Sequence, residues 1–286
     1  MSIIIAILQA ILQAIAYIIP ISESGHSAIY HDFAGKADGS IAVITGVVHI
    51  GIALGILLAL YKTFLKMGRE FFTSGSDIIK KQFSYQNASK ARQFMLMTLL
   101  AFAPMLLWLI PMGKHGFLLD VLRRTGYNDT LLDEGIFIAI TGALLFFAAQ
   151  QIAAGKNRTF VTFAAAGVAA VFMLVLVPVS GLSVIGGVFA ILVLFGVSTN
   201  LSYKYAMVVS VPTLIGMGIF DLTAATYKAS VVQIIVALLF SIAVTFICVR
   251  VLKWVIKKQY LKFIALYDLG VGAIVAVIGI VQLIVR

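Results

Sequence analysis

Nine apolar stretches, at 3–19, 41–61, 94–111, 135–154, 160–177, 184–199, 205–220, 230–249 and 263–285, leave this chain few ways to fold. A helix needs about 20 apolar residues, within roughly 17–25, to cross a bilayer. Segments 41–61, 94–111, 135–154, 230–249 and 263–285 meet that length, and 205–220 is a short sixth. The others are interrupted around Pro20 and Pro178. With 62% hydrophobic and 11% charged residues and a mean hydropathy of +1.10, no soluble domain could hide this apolar surface. The expectation is an all-α polytopic membrane protein, a single integral domain over 1–286.

The net charge of +10 belongs to the loops. Basic residues in a membrane protein mark cytoplasmic loops. Nucleic acid is excluded as a partner because no soluble module exists to carry it. Loop 62–93 holds Lys62, Lys66, Arg69, Lys80, Lys81, Lys90 and Arg92, and the stretch 250–262 holds Arg250, Lys253, Lys257, Lys258 and Lys262. Both are expected inside, with Lys156, Arg158 and Lys204. That places 15 of the 21 basic residues in the cytoplasm. Loop 112–134 is mixed, with Asp120, Asp129, Asp133 and Glu134 against Lys114, Arg123 and Arg124, and falls outside. The first run lacks a basic n-region and carries Gln9 and Gln13, so no cleavable signal peptide is expected. Cys248 is the one cysteine, which excludes an internal disulfide and a cysteine-based metal site.

This orientation forces a parity. Residues 155–159 and 200–204 both lie inside, so 160–177 and 184–199 enter and leave by one face. They read as a re-entrant hairpin with its tip at Pro178 to Ser183. By the same logic 1–40 begins and ends outside, as a hairpin broken near Pro20. The tips are alike: Ile19-Pro20-Ile21-Ser22 parallels Val177-Pro178-Val179-Ser180. Each hairpin is followed by three spans. The expected architecture is two inverted repeats, about 1–154 and 155–286, each a broken-helix hairpin plus three transmembrane helices.

Polar groups gather at the first tip. Tyr17 to His26 reads Tyr-Ile-Ile-Pro-Ile-Ser-Glu-Ser-Gly-His. Pro20 cannot continue a helix without losing a hydrogen bond, and Gly25 allows close backbone approach. Such a cluster is costly in lipid unless it lines a cavity or binds something. His26 suits a nucleophile or general acid/base. Glu23 is a proton acceptor or metal ligand. Gln9 and Gln13 lie four apart on one helical face, lining the cavity or bonding between helices. His49 and Asp268 are intramembrane ionisable groups, a proton relay if they pair. The run Gly181 to Gly187 lacks a P-loop lysine and reads as close helix packing.

These residues resemble a family. Gln13-Ala-Ile-Ala-Tyr17-Ile-Ile-Pro20-Ile-Ser22-Glu23-Ser24-Gly25-His26 resembles the first signature of the undecaprenyl pyrophosphate phosphatases, Glu-Gly-x-Thr-Glu-Phe-x-Pro-x-Ser-Ser-Ser/Thr-Gly-His. His49-Ile-Gly51, Tyr61-Lys62, Pro104, Ser210-Val-Pro212 and Tyr267-Asp268 resemble later family positions, and Pro178-Val-Ser180-Gly-Leu182-Ser183 resembles Pro-Gly-Thr-Ser-Arg-Ser-Gly. The chain departs from the family at its charged positions, and Glu23 stands where the family has serine. Gln13 and Tyr17 stand at its two glutamates, Leu182 and Asp268 at two arginines.

The resemblance implies a divergent phosphatase that acts on a polyprenyl (di)phosphate carrier of cell-wall synthesis in the bacterial plasma membrane. It implies His26, Glu23 and Ser24 as catalytic residues. Ser22, Gly25, Ser180 and Ser183 would bind phosphate, and Gln9, Gln13, Tyr17, His49 and Asp268 would line the cavity. A divalent cation, Mg²⁺ or Ca²⁺, held by Glu23 is the candidate cofactor, and a homodimer is left open. Ser24-Gly25-His26 is also shared with an acid phosphatase superfamily, whose Lys…Arg-Pro and Ser-Arg…His are absent here. The alternative is a transporter or flippase for an anionic lipid on the same scaffold, without hydrolysis; a third is an inactive accessory protein.

Overall fold

The computed structural model describes residues 2–34, 40–125, 130–155, 158–225 and 228–285. The helices are α1 Ile3–Ile18, α2 Glu23–Ala34, α3 Ser40–Ala59, α4 Tyr61–Ile79, α5 Lys90–Phe102, α6 Leu118–Thr125, α7 Leu132–Ala153, α8 Phe163–Leu176, α9 Val184–Leu194, α10 Thr199–Ala224, α11 Val231–Lys257 and α12 Leu261–Val285. A short 3-10 helix, Ala103–Leu109, prolongs α5. No strand forms among the described residues, only two isolated bridges. Lys156 and Asp129, assigned to loops above, lie outside the described residues.

Among the described residues, six helices are long and apolar enough to cross a membrane: α3, α5 with its extension, α7, α10, α11 and α12. They are the six segments expected from hydropathy. The 205–220 and 230–249 segments lengthen: α10 runs 26 residues, through Pro212 and past Phe220 to Ala224, and α11 runs 27, to Lys257.

The second hairpin enters and leaves at one face. Arg158, before α8, donates its N–H to Gly196 O at 2.9 Å and accepts from the N–H of Ser198, after α9, at 2.8 Å. Every residue of α9 from Ile185 to Val193 is buried, so this helix sits inside the bundle rather than against lipid. α5 runs parallel to α10: Tyr205 Oη donates to Met97 O at 2.6 Å, and further along Thr213 reaches Met105.

Glycine sets the closest helix pairs. Without a hydrophobic drive between helices in lipid, small residues let backbones touch. α7 and α12 run antiparallel with Gly135, Gly142, Gly272 and Gly279 in their seam. A side chain at Gly142 would meet Leu269 N at 2.7 Å, and one at Gly272 would meet Gly135 O at 2.7 Å. A Cβ at Gly46 of α3 would stand 2.9 Å from Gly218 O of α10, and Gly51 and Gly55 face Ser241 and Thr245 of α11.

At the other edge, α4 is clamped to α5. Arg92 donates to Glu70 Oε2 at 3.1 Å and Asp77 Oδ2 at 2.7 Å, while Ser89 Oγ donates to Glu70 Oε1 at 2.7 Å. The Ser89 hydroxyl, with Arg92, holds the Glu70 carboxyl below the usual carboxylate range.

The seam and the clamp can each be tested. Gly272→Leu drives a side chain into the α7 backbone and lowers stability by about 1–3 kcal/mol, whereas Gly270→Ala, with open space around it, does not. Thermal midpoints in detergent read the contrast; equal midpoints would dismiss the seam. The Glu70 clamp has a depressed folded pKa. Its stabilisation is therefore complete above the unfolded value of about 4.3 and is lost as pH falls below it through the folded value. Protection factors of the α4 amides, corrected for the intrinsic pH dependence of exchange, should fall across that acid window and stay level above it.

Candidate functional site

The two helix breaks meet. Residues 19–22 turn the chain between α1 and α2, with Ser22 at a positive φ of 67°. Ser22 Oγ accepts the Gly25 N–H at 3.1 Å and caps α2. Ser183 Oγ accepts the Gly186 N–H at 3.1 Å and caps α9. Ser24 Oγ accepts the Gly181 N–H at 3.1 Å, which joins one break to the other. α7 lies beneath both: Gly25 packs on Ile138, Gly181 on the backbone of Glu134, and Thr141 Oγ1 accepts the Ser183 N–H at 3.2 Å.

The geometry shows what the expected phosphate ligands bond to within the protein. Ser22 and Ser183 are buried, and each Oγ accepts a capping N–H while its own O–H remains a donor. Gly25 is filled by Ile138 rather than left as an open cradle. Ser180 faces the carboxylate of Glu134. The short alignment of the tips paired Ser22 with Ser180, but the caps make Ser183 its counterpart. Tip 2 simply takes a longer path from its proline to its cap.

His26 is held at both nitrogens. Nδ1 lies 2.9 Å from Ser22 O, and a carbonyl can only accept, so Nδ1 carries the proton. Nε2 lies 2.9 Å from Tyr267 Oη, so its lone pair receives the phenol hydrogen. The two rings also stack, with centroids 5.9 Å apart. Tyr267 on α12 is a site residue that the sequence marked only by resemblance.

Glu23 opens a charged network. Its Oε1 accepts from Ser27 Oγ at 3.2 Å, and its Oε2 lies 3.7 Å from His49 Nε2. His49 Nδ1 lies 3.0 Å from Asp221 Oδ2, and Arg123 Nη1 donates to Asp221 Oδ1 at 2.8 Å. The Arg123 guanidinium also rests over the Phe220 ring, 5.2 Å from its centre. The network thus crosses α2, α3, α10 and α6.

His49 therefore pairs with Asp221 and Glu23, not with Asp268. Asp268 is buried on α12 against Gly142, and its carboxylate meets no hydrogen-bond partner among the described residues. Nor is Glu23 the lone carboxylate at the tips, since Glu134 stands beside the second. Asp221 and Arg123 were missed because hydropathy ended the apolar run at 220, which left both in loops. Gln9 and Gln13 donate to Thr45 Oγ1 at 2.9 and 3.0 Å and tie α1 to α3. Tyr17 is buried with its hydroxyl directed at Ser210.

A divalent cation needs several oxygen ligands converging on one point. The Glu23 oxygens already face Ser27 and His49, and no group of three or more His, Cys, Asp or Glu suited to a metal occurs among the described residues. The residues present do not fit a chelated Mg²⁺ or Ca²⁺.

The family described as bacitracin resistance protein BacA matches residues 6–274. The chain is 26% identical to the undecaprenyl-diphosphatase of Alkaliphilus metalliredigens over 279 residues, covering 94% of this chain and 96% of that one. It is 25% identical to the undecaprenyl-diphosphatase of Methanosphaera stadtmanae over 284 residues, covering 96% and 98%. A third, from Desulfatibacillum aliphaticivorans, is 24% identical, with 96% and 98% covered.

His49→Gln and Asp221→Asn, alone and together, should show a coupling of about 0.5–3 kcal/mol in unfolding midpoints. Strictly additive losses would mean that the contact contributes nothing to the fold.

Proposed function

The chain belongs to the bacitracin resistance protein BacA family, and from that we propose that it is a membrane phosphatase acting on the diphosphate of a polyprenyl lipid carrier. The observation that carries the reading is the junction of the two helix breaks, where Ser24 binds Gly181 and His26 lies in the same turn. The N-terminal ends of α2 and α9 converge there. Their positive dipole ends favour an anion, which supplies charge stabilisation that Leu182 cannot.

His26 acts as the base. Its Nε2 lone pair is set by the Nδ1–H bond to Ser22 O. When Tyr267 swings off, Nε2 takes a proton from a water attacking the terminal phosphorus. The new P–O bond forms as the bridging P–O bond breaks, and its electron pair leaves with the polyprenyl monophosphate. The monophosphate leaves as an anion, the proton taken by Nε2 passes to solvent, and Glu23, in the first turn of α2 and positioned by His49, accepts a hydrogen bond from the second hydrogen of the attacking water. Ser24 holds the two breaks in register.

The basic loops 62–93 and 250–262 are read as cytoplasmic, which directs Asp221 and Arg123 to the opposite face. The halves 1–154 and 155–286 are read as inverted repeats of one domain. The packing supports this: α1 lies on α11 as α8 lies on α5, α3 on α11 as α10 on α5, and α3–α10 and α7–α12 pair across the halves.

A second reading is movement of the same lipid without hydrolysis. It draws on the chain of charge from Glu23 through His49 and Asp221 to Arg123.

Phosphate release from undecaprenyl pyrophosphate by purified protein separates the two. Wild type should hydrolyse, and His26→Ala should lose about 10²–10⁴-fold, while Tyr267→Phe, which frees Nε2, should keep activity. Lipid binding with no release from folded wild type would favour transport, and full activity in His26→Ala would end the role of His26 as base.

A further inference from the structure

α4 is the long helix that neither crosses the membrane nor packs inside the bundle. Its position is fixed at both ends. α3 spans 20 residues, about 30 Å at 1.5 Å per residue, which is the thickness of the hydrocarbon core. α4 starts immediately after it, at Tyr61, where α3 leaves the membrane. Its middle and end are then drawn to the start of α5, because Glu70 and Asp77 both bind Arg92. A helix held in this way runs along the membrane surface.

Its three faces differ in chemistry. The acidic face, Glu70 and Asp77, is turned to the protein and neutralised by Arg92. The apolar face is uncovered: Tyr61, Leu65, Phe72 and Ile79 form one stripe, flanked by Phe71 and Ile78. All are more than half exposed, and Phe72 and Ile79 are 77% and 84% exposed. Gly68 and Gly75 lie in the same stripe with nothing within 4 Å of where a side chain would stand. Between these faces Lys62, Lys66 and Arg69 follow each other at helical spacing, and none makes an ion pair among the described residues. Lys80 and Lys81 continue the charge beyond the helix.

We infer that α4 is a docking surface for anionic phospholipid headgroups, with its apolar stripe in the acyl region of the same leaflet. Charge decides the occupant. A zwitterionic surface would cover the apolar stripe equally well but would leave the unpaired cations uncompensated. An amphipathic helix with bulky apolar residues on one face and Lys or Arg beside it lies in the plane of the interface. Attraction to an anionic surface falls off within a Debye length, so the cations must sit at headgroup depth, and the clamp to Arg92 holds them there. The assignment is independent of hydrolysis.

The test uses the full chain in nanodiscs of phosphatidylcholine with or without phosphatidylglycerol. A nitroxide on Phe72→Cys should be reached by oxygen and shielded from a water-soluble nickel relaxant, whereas one on Lys66→Cys should not be shielded. In native mass spectrometry the wild type should retain phosphatidylglycerol over phosphatidylcholine. The preference should drop about fivefold per cation removed in Lys62→Gln, Lys66→Gln and Arg69→Gln, and should persist in the control Lys114→Gln. Nickel access at position 72 would place α4 in water and overturn the proposal. An unchanged lipid preference in the triple variant would overturn the headgroup assignment even with the stripe in lipid. Spin–spin broadening between Phe72→Cys labels would assign the stripe to a second copy instead.

Discussion

Broken backbone at membrane depth is the constraint on which this structure depends. Lipid offers no partner for an N–H or C=O group, and each unsatisfied one costs several kcal/mol. Irregular backbone is tolerated there only when protein encloses it. This chain breaks two helices in its apolar interior and satisfies the freed donors with hydroxyls: Ser22 takes Gly25, Ser183 takes Gly186, Ser24 takes Gly181, and Thr141 takes Ser183. Two of these four bonds are caps within a break, one joins the breaks, and one joins a break to α7. The breaks are therefore stable only together and only on α7. This explains why α7 and α12 press so closely: α12 braces the helix that carries both turns and also supplies Tyr267 to His26.

The capping serines keep their donors. Ser22 and Ser183 each accept one backbone N–H at 3.1 Å, and replacing such a cap costs about 1 kcal/mol, but accepting leaves the O–H of each free to donate. His26 and Glu23 are the titratable side chains of the first break. The two are wired in opposite directions, one through Tyr267 toward α12 and the other through His49 toward α10. Each is fixed by a partner that the local motif does not contain.

Hydropathy and loop charge made the spans legible, because length and apolarity are local properties. Parity made the second hairpin legible, and the Arg158–Ser198 pairing bears out that its two ends lie together. What stayed hidden was long-range. His49 and Asp221 are 172 residues apart and His26 and Tyr267 are 241 apart. No periodicity links them; only the register of α3 on α10, set where Gly46 meets Gly218, brings the first pair into contact. Asp221 was lost for a second reason. The apolar run stops at Phe220, yet the helix continues one turn further, where Asp221 is stabilised by Arg123 and His49 rather than by burial alone. The caps at the tips stayed hidden for a different reason. Serine suits phosphate binding and capping alike, and only the positions of the N–H groups show that Ser22 and Ser183 cap their helices.

Gln13, Tyr17 and Leu182 stand where the resembled signature has two glutamates and an arginine. Breaking one side of a buried ion pair costs about 3–5 kcal/mol, whereas replacing both sides is close to neutral, so a site without either sign carries little cost. Asp268, at the second arginine position, is the contrary case, a buried carboxylate with no hydrogen-bond partner among the described residues. Gln13 now ties α1 to α3 through Thr45, Tyr17 turns to Ser210, and Leu182 joins the apolar core. The charged side chains stand nearby instead: the carboxylates Glu23 and Asp221, with His49 between them and Arg123 outermost. Because the four come from four different helices, their contacts tie the first break to α3, α10 and α6 in a way that no local motif could.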